Sequence, residues 1–393
     1  VLSQTSAWAD HFTPNLALFA PLFWLKPSIL WLLFARWITY LVCLPILWEI
    51  SKFYLQDKKW RYLILFLWLI NYAMSKVLIH EFQISNLALP FILLAFYLYL
   101  KKHYILFVLN LLWLLGFKEN MALVWLSVGV WLFLFQKERK LGILITSGGV
   151  IAGIIIVYVL TPYLSGGIPN LQLDRLGPFE LLPQKAEFIF LVLLSVGFLP
   201  LLNPRTLLFI LPAFGTSLLS NKPAMSTINH HYQDLPTIII FIAVIIALST
   251  WEKKQGWFFS LPLGLQKISI TIMLSGIILY NNHYPARIIR QQWPTSADLE
   301  TLPEIHRFKK EMNPQRVLWT HNILGAYFIE MPYLRLLEYY SPTFEEKAHY
   351  LVLDNYYIDA NDNGLKQTIE EMLRNNKYEE LAGYKELRIY KSK

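Results

Sequence analysis

From residue 15 to residue 280 the chain alternates long apolar runs with brief polar interruptions, and from residue 281 onward the mixed pattern of a water-soluble protein takes over. A helix rises 1.5 Å per residue, so a hydrocarbon core of about 30 Å takes around 20 apolar residues, fewer where a span is kinked or shielded by neighbours. The runs at 28–48, 60–79, 87–100, 104–117, 121–135, 141–160, 188–202, 207–219, 236–250 and 268–280 therefore predict about ten transmembrane helices, with a re-entrant path open to the shorter ones. The stretch 15–24, which contains Pro21, is too short to cross and predicts a helix lying in the membrane interface. The fold class that follows is an α-helical polytopic membrane protein over residues 1–280, followed by a small C-terminal α/β domain over 281–393.

Within that last segment a short connector leads to a predicted strand at 316–320, a helical stretch at 323–328 and a second strand at 349–354. Leu365, Ile369 and Leu373 recur at helical spacing, and 378–391 reads as a closing hairpin around Gly383. About a hundred residues support one small core. No phosphate-cradling glycine loop, nucleophile elbow or metal-ligand spacing occurs here, so a partner-binding or acceptor-shaping role is expected rather than a second catalytic centre.

Composition agrees with the pattern. The 393 residues are 55% hydrophobic and 16% charged, against about 25% charged in an average soluble domain, and the mean hydropathy is +0.39. A net charge of +8 would suggest nucleic acid in a soluble protein. Here the basic residues sit in short loops, where they report topology instead, and no nucleic-acid partner is expected. Alternate loops hold Lys52, Lys58, Lys59 and Arg61; Lys101 and Lys102; Lys137, Arg139 and Lys140; Arg205; and Lys253, Lys254 and Lys267. The intervening loops hold Lys118, Arg175, Lys185 and Lys222. Because basic residues in short loops stay on the cytoplasmic side, the first set predicts cytoplasmic loops and an extracytoplasmic C-terminal domain in the plasma membrane. The single cysteine, Cys43, lies in an apolar run and leaves no intramolecular disulfide or Cys-based metal site. The chain opens on Val1 without signal-peptide order, so an upstream part carrying a first membrane helix is expected.

That orientation gathers the chemically capable residues on the external face. Lys118, Glu119 and Asn120 interrupt the apolar stretch 104–135, making a tight tip between two short crossings. Glu119 or Lys118 there either faces a substrate headgroup or caps the turn. His80 and Glu81 close one span and are followed by Gln83 and Asn86. A carboxylate beside an imidazole suits acid/base work or a divalent metal, although adjacent helical residues point about 100° apart. Asp10 and His11 precede the interfacial segment, and His230, His231, Tyr232 and Asp234 sit in the loop 220–235. The His pair and its carboxylate match none of the strong zinc spacings, so binding a phosphate or a sugar hydroxyl is the better reading, with a divalent metal left open as a cofactor. Arg36, inside a span, is expected to face the bundle interior, whereas Lys76 can snorkel from an external end.

Four of these segments together resemble a family of multi-spanning membrane proteins, domain of unknown function 2079. His11-Phe12-Thr13-Pro14 is similar to its His-Phe-Ser-Pro, and Glu81-Phe82-Gln83 with Leu89-Pro90 to its Asp-Phe-His leading into Leu-Pro. Lys118-Glu119-Asn120 resembles its Lys-Glu-Asp, and His231-Tyr232 its late His-Tyr loop. Two departures stand out: Gln83 replaces a usual His, which removes a titrating group, and Asn120 replaces a usual Asp, which removes a metal-binding carboxylate; hydrogen bonding to a sugar survives both. The layout is similar to type C glycosyltransferases. That resemblance implies transfer of a sugar from a lipid-phosphate carrier to an acceptor at the external face, with a catalytic carboxylate in the first external loop. It nominates Asp10, Glu81 and Glu119 for catalysis. His11, His80, Gln83, Lys118, Asn120, His230, His231 and Tyr232 would bind substrate, Lys118 and His231 suiting the leaving phosphate. The implied partners are the lipid bilayer, a lipid-linked sugar donor and an acceptor still to be identified.

Two other classes compete. A transporter or flippase would place ionisable groups at mid-membrane in two related halves, and no internal repeat is present. A non-catalytic scaffold would tolerate replacement of Glu81, Glu119 and His231.

Overall fold

The structure, a computed structural model, describes residues 11–26, 28, 30–79, 82–165, 176–292, 296–328, 331, 333–337, 348–354, 363–375, 378–384 and 387–392. Asp10, His80, Glu81 and Arg175 lie outside the described residues. The chain divides into two compact units, one of Gln4–Leu18 and Leu32–Gln292, the other of Val1–Ser3, Phe19–Trp31 and Trp293–Lys393.

A 3-10 turn at Pro14–Phe19 leads into α1 (Ala20–Leu25), and the helices continue with α2 (Leu30–Tyr54), α3 (Lys58–Ile70), α4 (Tyr72–Ile79), α5 (Leu89–Leu100) and α6 (Tyr104–Leu115). Then come α7 (Ala122–Phe135), α8 (Arg139–Ile155), α9 (Thr161–Ser165), α10 (Leu182–Leu194), α11 (Leu207–Ile210), α12 (Gly215–Leu219), α13 (Asp234–Glu252) and α14 (Leu263–Gln292). Among the described residues, five stretches are long and apolar enough to cross a membrane: Leu30–Tyr54, Lys58–Ile79, Arg139–Leu164, Asp234–Ser260 and Leu263–Asn281. Shorter apolar helices lie at Pro14–Leu25, Ile84–Leu100, Tyr104–Leu115, Glu119–Phe135 and Pro204–Leu219.

A helix that is apolar all round belongs in the interior, and α13 is that helix: every residue from Asp234 to Ser249 is buried. On α8 and α14, by contrast, Ile143, Leu144, Ile151, Ile272, Ile278 and Leu279 stay exposed, as on a lipid-facing surface. Arg36 is buried on α2, as expected of a charge directed inward. Glycines bring α7 and α8 together. A Cβ on Gly129 would stand 2.7 Å from the Gly142 carbonyl oxygen, and one on Gly142 the same distance from that of Gly129, which is the close approach small residues give membrane helices. The apolar run 60–79 is two helices rather than one. Asn71 ends α3 in an extended conformation, and its side-chain oxygen accepts from the Met74 amide at 2.8 Å, capping α4. Asn281 on α14 accepts from the Tyr72 amide at 2.8 Å and donates to the Ser195 carbonyl at 3.0 Å, so the break is held from both sides.

The loops that carry the basic residues meet at one end of this unit. Glu252 accepts from the Gln56 and Asp57 amides at 2.9 and 2.7 Å, Gln136 donates to the Tyr54 hydroxyl at 3.0 Å, and Lys101 stands over the Phe53 ring. Asn203 donates to Thr250 at 3.1 Å, and the Trp257 indole donates to the Leu201 carbonyl at 2.9 Å.

In the smaller unit, α15 (Ser296–Glu311) precedes a five-stranded mixed sheet of β1 (Leu318–Thr320), β2 (Leu334–Leu336), β3 (Tyr350–Asp354), β4 (Tyr378–Tyr384) and β5 (Leu387–Ser392) in the order β2-β1-β3-β5-β4. β1 pairs in parallel with β2 and β3, while β5 is antiparallel to β3 and β4. Side chains alternate across the sheet. Leu318, Val352 and Ile389 pack with Ile305 and Phe308 of α15 and with Leu324 of α16 (Asn322–Gly325), while Trp319, Leu351 and Leu353 pack with Ile369 and Met372 of α17 (Asn363–Asn375). Three details depart from the sequence expectations. α14 and α15 stand where a short connector was expected, β2 was not anticipated, and Gly383, expected at the hairpin turn, is paired with Arg388 inside β4.

Candidate functional site

At the end of the larger unit opposite those basic loops, residues far apart in sequence converge. The N-terminal segment is docked there by Asn15. Its amide donates to the Gly116 carbonyl at 3.0 Å and its side chain donates to the Trp113 carbonyl at 2.9 Å, both at the C-terminal end of α6. Gly116 is required by this fit, because a Cβ on it would overlap the Asn15 side chain. The Thr13 hydroxyl donates to the His11 carbonyl at 3.3 Å. Held in this way, His11 places Nδ1 at 2.9 Å from Oε1 of Glu119, across 108 residues of sequence.

Glu119 opens a 3-10 turn, Glu119–Met121, between α6 and α7, and the Met121 amide closes that turn on the Lys118 carbonyl at 3.0 Å. The tip is mostly shut away from solvent. Lys118 is 7% exposed, yet it makes no hydrogen bond or ion pair among the described residues. Its charge reaches the carboxylates of both Glu119 and Asp234. The second oxygen of Glu119 and the side-chain oxygen of Asn120 are buried without a partner among the protein's described atoms.

Asp234, the first residue of α13, lies within range of the Lys118 charge. It is 2% exposed, receives the Ser85 hydroxyl at 2.6 Å and the Asn86 amide group at 3.5 Å, and its other oxygen accepts from the Leu235 amide at 2.7 Å. Ser85 and Asn86 belong to the 3-10 turn Ile84–Ala88 that precedes α5. The Asn86 carbonyl accepts from Thr39 on α2 at 3.3 Å, and the Asn86 side-chain oxygen is a further buried acceptor with no partner among the described atoms. A carboxylate at a helix N-terminus sits well with the helix dipole, so Asp234 has a structural reason to be there as well as a chemical opportunity.

The structure thus brings together His11, Lys118, Glu119 and Asn120, and adds Asp234, Ser85 and Asn86. His231 is buried, stacks on Tyr232 at 4.2 Å between ring centroids, and joins the group through its carbonyl, which accepts from the Asp234 amide at 3.0 Å. Gln233 pins the same loop by donating to the carbonyls of Ala73, Ile228 and His230. Gln83 precedes the Ile84–Ala88 turn and makes no side-chain hydrogen bond among the described residues. Asp10, His80 and Glu81 fall outside the described residues, so their positions do not enter this geometry. No three His, Cys, Asp or Glu side chains among the described residues gather so as to hold a metal ion.

Chemically the group is bipolar. Oxygens of Glu119, Asn120 and Asn86 present lone pairs without donors among the described atoms, whereas Lys118 presents an ammonium without an acceptor among the described residues. Buried groups in that state cost about 1–3 kcal/mol each or more when charged, and a ligand carrying both hydroxyls and an anionic group would satisfy them together.

A family model described as "Predicted membrane protein (DUF2079)" matches residues 1–385. Neither a curated protein nor a solved structure matches the chain.

Proposed function

The chain belongs to the DUF2079 family of predicted membrane proteins, and from that premise we propose that it transfers a sugar from a lipid-phosphate carrier to an acceptor at the extracytoplasmic face of the plasma membrane. The observation that carries this reading is Lys118, a buried residue whose ammonium makes no hydrogen bond or ion pair among the described residues, beside the His11–Glu119 pair and oxygen acceptors with no donor among the described atoms. Lys118 suits the phosphate, which gains negative charge as it leaves, and a fixed donor is most effective where charge develops. Glu119, Asn120 and Asn86 suit sugar hydroxyls. The His11–Glu119 pair supplies a base: the acceptor hydroxyl loses its proton to the pair, its oxygen bonds to the anomeric carbon, and the bond from that carbon to the phosphate oxygen breaks with both electrons going to the lipid phosphate.

Ser85 and Asn86 fix the Asp234 carboxylate by hydrogen bonds, and α13 anchors it in the bundle core. Binding geometry on rigid elements favours group transfer, because orientation then needs no reorganisation at the moment of reaction. The C-terminal α/β unit contributes an acceptor-shaping or partner-binding surface in this reading.

The test uses full-length protein in lipid nanodiscs supplied with polyprenyl-phosphate sugars, with release of polyprenyl phosphate as the readout. Release by the wild type, lost in Glu119→Gln and reduced in His231→Ala, supports transfer. No release with any donor, accompanied by donor flux across vesicles, supports transport instead.

A further inference from the structure

We propose that the atom receiving the acceptor's proton is Nε2 of His11, with Glu119 a positioning residue behind it; this rests on the transfer reading above. An ionised carboxylate can only accept a hydrogen bond, so at 2.9 Å from Glu119 Oε1 the Nδ1 of His11 is the nitrogen that carries hydrogen. A neutral imidazole has one N–H, and its lone pair therefore stands on Nε2. The two members differ in access. The side chain of His11 is 41% exposed and that of Glu119 is 19% exposed, so the imidazole is the partner open to an incoming hydroxyl. One oxygen of Glu119 is taken by His11 and the other is buried.

The support behind the imidazole comes from several residues. Thr13 bonds its carbonyl, Asn15 latches the following turn onto Gly116 and Trp113, and Glu119 fixes the ring. A carboxylate that fixes the tautomer and favours the imidazolium is how a histidine is made an effective base in hydrolases of unrelated fold. In the transfer step the acceptor O–H proton moves to Nε2 while the new carbon–oxygen bond forms and the bond to the carrier phosphate breaks. The resulting imidazolium faces the Glu119 carboxylate and, being exposed, returns the proton to water.

His11→Gln is the decisive variant, because its amide still donates to Glu119 but offers no basic nitrogen. Turnover is expected to fall at least about 100-fold with the donor KM within about threefold of wild type, and the smaller His11→Gly to regain activity when imidazole is added. Independently of turnover, nitrogen NMR of histidine-labelled protein, with the His11 signal identified by its loss in His11→Gln, should show the Nδ1–H tautomer, shifting toward a mixture in Glu119→Gln. Turnover of His11→Gln within about threefold of wild type, absence of imidazole rescue, or an Nε2–H tautomer unaffected by Glu119→Gln would each overturn the proposal. Should the wild type release no lipid phosphate from any donor, the transfer reading fails, and with it a catalytic role for His11; the tautomer measurement then decides only whether Glu119 orients the ring.

Discussion

The two ends of the membrane unit both bring charged and polar side chains together, but they differ in whether those side chains are satisfied. At the end with the basic loops, both oxygens of Glu252 take backbone amides, Gln136 finds Tyr54 and Asn203 finds Thr250. At the opposite end Lys118 and single oxygens of Glu119, Asn120 and Asn86 are buried or nearly so and without partners among the described residues. Native proteins pair nearly all their buried polar groups. A cluster of exceptions therefore marks a place kept for something else, while the paired end needs no explanation beyond holding loops in register.

The sharpest way to break that contrast is to neutralise one carboxylate at each end. Glu119→Gln removes the charge that fixes His11 and lets an N–H donor turn toward it, and turnover is expected to fall by about 10²–10⁴-fold, the range over which a positioned base and its orienting partner act. Thermal unfolding followed by tryptophan fluorescence should barely move. A variant that unfolds easily yet retains turnover would reverse the assignment of this end.

His321 extends the comparison to the smaller unit. It follows β1, is fully buried, and its Nε2 accepts from the Asp354 amide at 3.2 Å. Burial pushes this imidazole down to about 4, whereas an unfolded histidine titrates near 6.5. Between those values the folded form binds fewer protons than the unfolded one, so stability is full above about pH 6.5 and falls as pH drops toward 4. The loss approaches about 3 kcal/mol, at 1.36 kcal/mol per unit of difference. Hydrogen exchange at Leu351–Leu353 should speed up over that window in the wild type, and the His321→Gln variant should have a flatter response. His321 is buried with Nε2 paired to the Asp354 amide and lies in the core of its own unit, so it is expected to govern stability alone.

Gly116→Ala tests how far the unsatisfied end depends on its docking. The added methyl overlaps the Asn15 side chain, so the N-terminal segment must shift and His11 with it. A tenfold fall in turnover, about 1.4 kcal/mol, is expected, with accelerated proteolysis confined to the segment before α1. Unchanged turnover would mean that His11 reaches Glu119 without Asn15.

How much of this was legible in the sequence depended on whether a residue's meaning was local. Lys118 and Glu119 announce themselves, because charges inside an apolar run need a reason wherever they point. His11 was flagged by its place before the interfacial segment, although nothing in its neighbourhood gives the contact with Glu119. Ser85 and Asn86 carry no signal of their own: small polar residues at the end of an apolar run are ordinary, and theirs comes from a carboxylate about 150 residues away. Asp234 was read as one more polar residue of a loop, whereas it begins the most buried helix of the unit. In the smaller unit, α15 hid behind Pro303 and a polar surface that leaves few apolar residues, Ile305 and Phe308 among them, to pack on the sheet. β2 is three residues long and gains its identity from pairing with β1, which no local pattern encodes.

The smallest effect belongs to Glu252→Gln, and its value is that it should leave function alone. Glutamine keeps one oxygen for either Gln56 or Asp57 but turns an N–H donor toward the other, so one amide loses its acceptor and the charge assistance disappears. Hydrogen bonds to charged groups contribute about 1.5–3 kcal/mol when buried, and the Gln56 bond is exposed, so a loss of about 1 kcal/mol is the reasonable expectation. Unfolding should begin slightly earlier while polyprenyl-phosphate release proceeds at the wild-type rate. If turnover instead fell as far as in Glu119→Gln, the two ends would be coupled through α13, which runs from Asp234 to Glu252. The paired end would then be part of the mechanism rather than its scaffold.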